Sequence, residues 1–324
     1  MRLPGSSGSH VRRSTIRTPV DTRSVRVGVV FPQLESGTDP GAIREYAQGV
    51  EQLGYAHLVA YDHVLGADRR SRPDWKGAYD ATSLFHEVFV LLSFIAAWTT
   101  RLEVAPSVVI LPQRQTALVA KQAASLDVLA SGRTRLGVGL GWNDVEFAGL
   151  GARFDDRAKR YGEQIKVLRL LFTNEVVDYT GKFHRIDRAG IRPLPVQRPI
   201  PIWMGGSAED AVKRIARIGD GWFTFAQPDG DGPERIARFR DHLRDAGRDP
   251  ETFPIEGRVV FAKRTPDEWV SRARGFQALG MTHLELNTMG AGYAALGDHL
   301  AALARFREDA ADLFTGSAPR PTAS

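Results

Sequence analysis

The chain has 324 residues, 43% hydrophobic, 9% aromatic and 25% charged, which is the profile of an ordinary globular protein and excludes a collagen-like or wholly disordered chain. It contains no cysteine, so disulfides, thiolate nucleophiles and Cys-ligated zinc or iron–sulfur centres are ruled out. The formal net charge is +5 and the isoelectric point about 9.6, values that on their face suggest an anionic macromolecule as partner.

The distribution of charge argues against that partner. Residues 1–23 hold five arginines against Asp21, a surplus of four, and residues 315–324 add Arg320. The 291 residues between them are neutral overall. Both ends are rich in Gly, Ser, Thr and Pro without a hydrophobic period, so they read as disordered tails flanking one domain over 24–314. The N-terminal tail has no apolar core of 7–15 residues and does not read as a secretory signal. The most apolar run, 88–98, is too short to span a bilayer. The expectation is a cytoplasmic protein that binds neither membrane nor nucleic acid.

Strand-like and helix-like segments alternate along the chain. Strands are predicted at 24–31, 57–61, 102–111, 135–140, 200–204, 221–225, 255–262 and 283–287. Helices are predicted at 40–53, 82–98, 115–129, 157–172, 208–218, 233–246, 266–279 and 293–306. Eight strands each followed by a helix imply parallel βαβ units, and eight units in about 290 residues imply an α/β fold, the closed (β/α)₈ TIM barrel. One stretch breaks the rhythm. Residues 174–198, before the fifth strand, read as a hairpin (176–179 and 182–186) with a Pro-rich exit, an insertion of the kind that serves as a lid or an interface.

A barrel places its chemistry at the C-terminal ends of the strands. Asp62-His63, after strand 2, is the best acid–base pair, because histidine can exchange a proton near neutral pH; the bland reading is a capping Asp beside a surface His. Gly205-Gly206-Ser207 opens a helix, which suits a phosphate, or else is a tight turn with Ser207 as cap. Gly137-Val138-Gly139-Leu140-Gly141-Trp142 fails as a dinucleotide fingerprint, since Trp142 holds the third glycine position. Its glycines either leave room for a flat ligand or allow close backbone packing. Pro106 lies inside strand 3 and lacks a ladder donor, so a bulge is expected there. Phe31, Trp75 and Trp142 are candidate apolar walls, and ordinary packing explains Phe31 equally well. Asp144 and Glu146, just after strand 4, read as capping or surface residues. There is no H-E-x-x-H, no P-loop and no G-x-S-x-G, and no metal site is expected.

Several segments, in order, resemble the luciferase-like monooxygenase superfamily, and most of all its oxidoreductases that use the deazaflavin coenzyme F420. They are Glu51-x-x-Gly54-Tyr55, Tyr61-Asp62-His63-Val64, Pro112-x-Arg114, Leu126-Asp127-x-Leu129-x-Ser131-Gly132-Arg133, Gly137 to Phe147, and Trp203-Met204-Gly205-Gly206-Ser207 through Asp220-Gly221-Trp222. The resemblance implies a flat ring across the strand ends, flanked by Asp62 and His63 and backed by Pro106, Ser107 and Val108 at a bulge that often carries a cis peptide. It further implies that Gly141, Trp142 and Asn143 line the ring or its ribityl chain and that Gly205, Gly206 and Ser207 hold the phosphate. Hydride transfer between deazaflavin C5 and a small organic substrate follows from it, with His63 as acid or base and Asp62 or the backbone orienting that histidine. Ala158 stands where FMN-dependent hydroxylases of the superfamily often have tyrosine, which favours F420 over FMN. Asp144 and Glu146 lie near where some sugar-phosphate and alcohol dehydrogenases that use F420 place an acidic residue. The alternative is an FMN-dependent monooxygenase that takes reduced flavin from a partner reductase and reacts it with oxygen. A non-catalytic flavin binder is a further alternative. The resemblance also implies a homodimer.

Overall fold

The computed structural model describes residues 25–314, so the two predicted tails lie outside the described residues. Its elements in chain order are β1 (Arg26–Val30), α1 (Pro40–Gln52), β2 (His57–Ala60), α2 (Val88–Ala97), β3 (Glu103–Pro106), β4 (Val109–Ile110), α3 (Thr116–Leu129), β5 (Leu136–Gly139), α4 (Asp144–Gly149) and α5 (Arg157–Thr173). They continue with β6 (Val177–Thr180), β7 (Arg185–Ala189), β8 (Ile202–Gly205), α6 (Glu209–Ile218), β9 (Gly221–Phe223), α7 (Gly232–Asp245), β10 (Ile255–Val260), α8 (Pro266–Ala278), β11 (His283–Asn287) and α9 (Leu296–Asp309).

The main sheet runs β3-β2-β1-β11-β10-β9-β8-β5-β4, with parallel pairing throughout. Its two end strands, β3 and β4, are the halves of the single predicted third strand. One half pairs with β2 and the other with β5, so the sheet returns to its own start as an eight-stave barrel. A parallel bridge between Val104 and Thr134 helps to close it.

The break in the third stave is where Pro106 predicts it. Pro106 pairs opposite Ala60, Ser107 N–H donates to the Ala60 carbonyl, and the Ser107–Val108 peptide is cis. The chain therefore bulges inward, and neighbouring glycines make room for it. A Cβ on Gly139 would stand 2.5 Å from Val108 Cγ2, and one on Gly205 would stand 3.3 Å from Val108 Cγ1. The glycines of strands β5 and β8 thus seat the bulge rather than leaving open floor, and close packing is the correct reading of Gly139.

Local chemistry sets most element ends. Asp39 caps α1 by accepting from Gly41 N–H at 2.8 Å, with Pro40 in the first turn. Thr265 and Glu268 form a capping box at α8. The predicted helix at 82–98 begins only at Val88, because Asp80 accepts from Thr82 N–H and its hydroxyl, an Asx turn that competes with helix. The last helix begins at Leu296 rather than 293, after two glycines at positive φ and where Asp298 accepts from the N–H groups of Ala294 and Ala295. The short helix α4 was not predicted.

The insertion holds an antiparallel hairpin, β6 with β7. It lies along the outer helices. Glu163 on α5 accepts from Lys182, Phe183 and His184 N–H, and His184 reaches Thr116 at the start of α3 at 2.7 Å. Gln197 closes the return by binding the Asp127 carboxylate.

The apolar core is the shell between strands and helices, including Leu58, Leu284, Leu286, Ile215 and Phe276. The barrel interior is different. A small cluster of Val30, Val59, Tyr61, Ala105 and Met289 fills its upper part. Below lie charges. Arg135, immediately before β5, binds Glu103 of β3 and, at 2.7 Å, Glu256 of β10, while His57 of β2 meets Glu256 at 2.6 Å. The Arg135 guanidinium also covers the Trp203 ring at 4.2 Å.

Two predictions follow from this packing. Gly139→Ala should lower stability by about 1–3 kcal/mol through overpacking against Val108, and adding Val108→Ala should restore part of the loss; thermal melts of both variants measure it. The second concerns His299 on α9, which is buried with Nδ1 at 2.7 Å from Thr288 Oγ1. Burial lowers its pKa to about 4. The unfolded chain takes up that proton near pH 6.5 and the folded chain only near 4, so this contribution to stability is complete above 6.5 and is lost as pH falls toward 4. Urea melts at pH 7 and 5 should show a smaller acid loss in His299→Gln than in the parent chain; equal losses would refute the assignment.

Candidate active site

The strand ends bring most of the predicted residues to one rim. Asp62 is buried just beyond β2, and its carboxylate is fully engaged. Arg114 binds Asp62 Oδ1 at 2.6 Å and Oδ2 at 3.2 Å, and Ile110 N–H donates to Oδ2 at 3.0 Å. Burial pushes the Asp62 carboxyl up, and the Arg114 charge and hydrogen bonds pull against it. Asp62 therefore ties the end of β2 to the segment after the bulge. Of the two groups expected to orient His63, Asp62 or the backbone, Asp62 is taken up by Arg114 and Ile110 instead.

The group facing His63 is Glu146. Glu146 Oε2 lies 3.7 Å from His63 Nδ1. The same carboxylate accepts from Val64 and Leu65 N–H and, at 3.0 Å, from the Gln113 amide. Burial pushes Glu146 up, but the donors from His63, Val64, Gln113 and Leu65 outweigh it and hold it below the usual carboxylate range. Glu146 is thus neither a surface residue nor a cap. Its position three residues after Asn143 is the signal that sequence offered: Asn143 caps α4 by accepting from Glu146 N–H at 3.3 Å, and the cap turns the Glu146 side chain inward. Asn143 itself is buried and donates to the Leu65 carbonyl at 3.2 Å.

Aromatic rings surround His63. Tyr79 and Phe85 lie 4.8 Å from its ring, and Trp142 lies 5.7 Å away. Its side chain is 12% exposed. A recess of about 280 Å³ opens here, walled by His63, Val64, Leu65, Tyr79, Phe85 and Asn143. The loop between β2 and α2 thus forms its outer side. Trp142 is 44% exposed and leans on Trp75 at 5.9 Å, so these two rings form part of the rim. Phe31 is buried against Tyr46, which makes it ordinary packing. Gly141 has φ +75°, and a Cβ there would strike Ile110 at 2.4 Å.

Across the mouth, Gly205, Gly206 and Ser207 follow β8. The Gly206 carbonyl accepts from Trp222 Nε1–H at 2.9 Å, and Ser207 is exposed. The N-cap of α6 is Ala208, not Ser207, and no side chain caps the helix. Its first N–H groups therefore stay open. Glu209 in the first turn is drawn to Lys213, Arg238 and His242.

A larger recess, about 440 Å³, lies between β10 and the start of α8, with Lys263, Arg264, Glu268 and Tyr293 among its walls. Its Glu268 is spent in the α8 cap and Arg264 on the carbonyls of Val260 and Ala262. None of the predicted residues lines it. The acid–base geometry belongs to the His63 side.

Comparison with known proteins bears on the family and the fold. An uncharacterized protein of Mycobacterium tuberculosis is 34% identical over 71% of this chain and 80% of its own length. An F420-dependent hydroxymycolic acid dehydrogenase of the same organism is 28% identical over 81% of this chain and 71% of its own. An FMNH2-dependent dimethylsulfone monooxygenase of Pseudomonas fluorescens is 30% identical over 68% of this chain and 57% of its own. Among solved structures, an F420-dependent secondary alcohol dehydrogenase in complex with an F420–acetone adduct superposes with a TM-score of 0.72 at 16% identity, covering 90% of this chain and 99% of that one, and supports the barrel fold. The luciferase-like monooxygenase family model matches residues 25–320. With that match and the barrel behind it, the chain belongs to the luciferase-like monooxygenase family of oxidoreductases.

Proposed function

We propose that this barrel binds coenzyme F420 across its mouth and transfers hydride between the deazaflavin C5 and a small organic substrate. The observation that carries the reading is the buried carboxylate of Glu146 facing His63 at 3.7 Å, at a strand end that Asp62 ties through Arg114 and Ile110 to the segment after the break in the third stave. When bound, the deazaflavin supplies a carbon that accepts or gives hydride, and the protein supplies position and protons.

The residues present fit such a group. Val108, propped by Gly139 and Gly205, offers an apolar face without a competing side chain behind it. Gly141, Trp142 and Asn143 supply a narrow wall on one side. Gly205, Gly206 and Ser207 lead into the uncapped start of α6, whose open N–H groups and positive dipole end suit a phosphate. Lys213 and Arg238, with the His242 ring, draw Glu209 aside and blunt its repulsion there.

His63 holds or moves the accompanying proton. A carboxylate opposite Nδ1 favours the tautomer protonated at Nδ1 and leaves Nε2 as the exchanging atom. Asp62 acts through Arg114 and Ile110, keeping the bulge and the His63 strand end in register. The aromatic rings around His63 keep water from the reacting carbon.

FMN is the second reading, supported by the similarity to the FMNH2-dependent monooxygenase. The protein would then take reduced flavin from a separate reductase.

Two measurements test these proposals. Anaerobic titration of the full chain should give F420 a dissociation constant at least about tenfold below that of FMN; tighter FMN binding with oxygen-dependent product would replace the first reading with the second. With a panel of small alcohols as substrates, His63→Ala should lower turnover by about 10²–10⁴ and leave cofactor affinity within a few fold. Glu146→Gln should lower turnover while leaving cofactor affinity within a few fold, because it removes the carboxylate that orients His63. An unchanged rate in His63→Ala would remove that residue from the mechanism.

A further inference from the structure

The β10–β11 side of the mouth carries a cation that the cofactor reading does not use. Arg258 projects from β10 into the barrel, where its Nε binds the buried carboxylate of Glu285 on β11. Its charge lies over the Tyr61 ring at 4.8 Å and beside the Phe225 ring at 5.9 Å. Nη2 approaches Ser107 Oγ, at the bulge, at 3.4 Å. The Arg258 charge also opposes the upward push of burial on the Tyr79 phenol, so it faces the wall shared with His63.

Arg258 differs from the arginine below it. Arg135 is almost wholly buried and divided between two carboxylates. Arg258 is 22% exposed while its partner Glu285 is 3% exposed, so the pair is open on the arginine side only. No described residue accepts from Nη1. The guanidinium is fixed from behind by Glu285 and flanked by two rings, and its remaining N–H edge faces the mouth. A planar fork held this way loses little freedom on meeting an oxyanion and matches a carboxylate in geometry. Glu285 already offsets part of the charge, and no helix N-terminus adjoins it, so a monoanion fits better than a phosphate dianion.

We propose that Arg258 is a specificity-determining residue and that the substrate of this enzyme bears a carboxylate, bound at the Arg258 edge with its apolar body along Tyr61, Tyr79 and Phe225. This rests on the mouth being the active site, as argued above, and names the class of substrate it takes. Arg258 and His63 then hold the two ends of one molecule, with the bulge between them.

Benzoate and its uncharged isostere benzamide are the probes, titrated into the full chain by calorimetry with and without the cofactor that binds. Benzoate should bind at least about tenfold more tightly than benzamide, the step expected of a charge-assisted pair. Arg258→Lys should keep part of this preference and Arg258→Met should abolish it. Because Arg258→Met strands the Glu285 carboxylate, the double variant Arg258→Met/Glu285→Gln is measured beside it, with thermal melts to verify folding. A benzoate preference that disappears in the folded double variant supports the proposal, with cofactor affinity within a few fold of the parent where a cofactor binds; the same loss of preference supports it where neither F420 nor FMN binds, which then overturns only the cofactor reading. No preference in the parent chain, a preference that survives the double variant, or a loss confined to cofactor binding overturns it.

Discussion

The fold depends on charge held inside a closed barrel. Arg135 stands between Glu103 and Glu256, and so links β5 to β3 on one side and to β10 on the other. Its three carriers are 32 and 121 residues apart in sequence. Burying one such ion alone would cost several kcal/mol, and only mutual pairing makes the set tolerable. Glu256 is held far down, to about 2, because the Arg135 charge and the hydrogen bonds from Arg135 and His57 outweigh its burial. Removing Arg135 would leave the buried Glu256 carboxylate without its guanidinium, bonded still to His57. The network thus favours the register in which the three strands bring these groups together.

This network also explains the layered interior. Ionic pairs fill the lower barrel, a small apolar cluster lies above them, and the open mouth carries Arg258, the bulge and the His63 wall. Each layer supports the next. Tyr61, for instance, belongs to the apolar cluster, yet its ring carries Arg258 and its hydroxyl accepts from Asn287. The mouth is thus built on rigid strands, while the loop between β2 and α2 supplies the changeable side of the recess.

Much of the fold is legible in the sequence because each βα unit announces itself locally. Apolar runs, a Pro or Gly at the boundary and a capping residue mark most elements, and Pro106 marks the broken stave. Asp62, His63, Asn143 and the Gly205–Ser207 turn are legible as strand-end residues. The charged interior is not. In β10, Glu256 and Arg258 alternate with apolar letters, which reads as a strand with a wet face. Here the polar face points into the barrel, and the apolar face meets the helices. Parallel strands are covered on both sides, so alternation alone cannot tell inside from outside. Glu146 and Glu285 were missed for the same reason, since their partners lie 83 and 27 residues away and no local pattern connects them. Family resemblance reached Arg114 as a motif letter, but its pairing with Asp62 emerged only in three dimensions.

The seating of Val108 has an evolutionary corollary. Gly139 and Gly205 lack side chains because Val108 occupies the space that theirs would need. The three positions therefore cannot drift independently. A lineage that enlarges Gly139 must first shrink residue 108, whereas Gly205 asks only a small shift of it, and one that trims residue 108 gains freedom at both glycines. The depth of the mouth is thereby set by a small linked set of codons, and descendants of this scaffold can reshape its floor without touching His63 or Glu146.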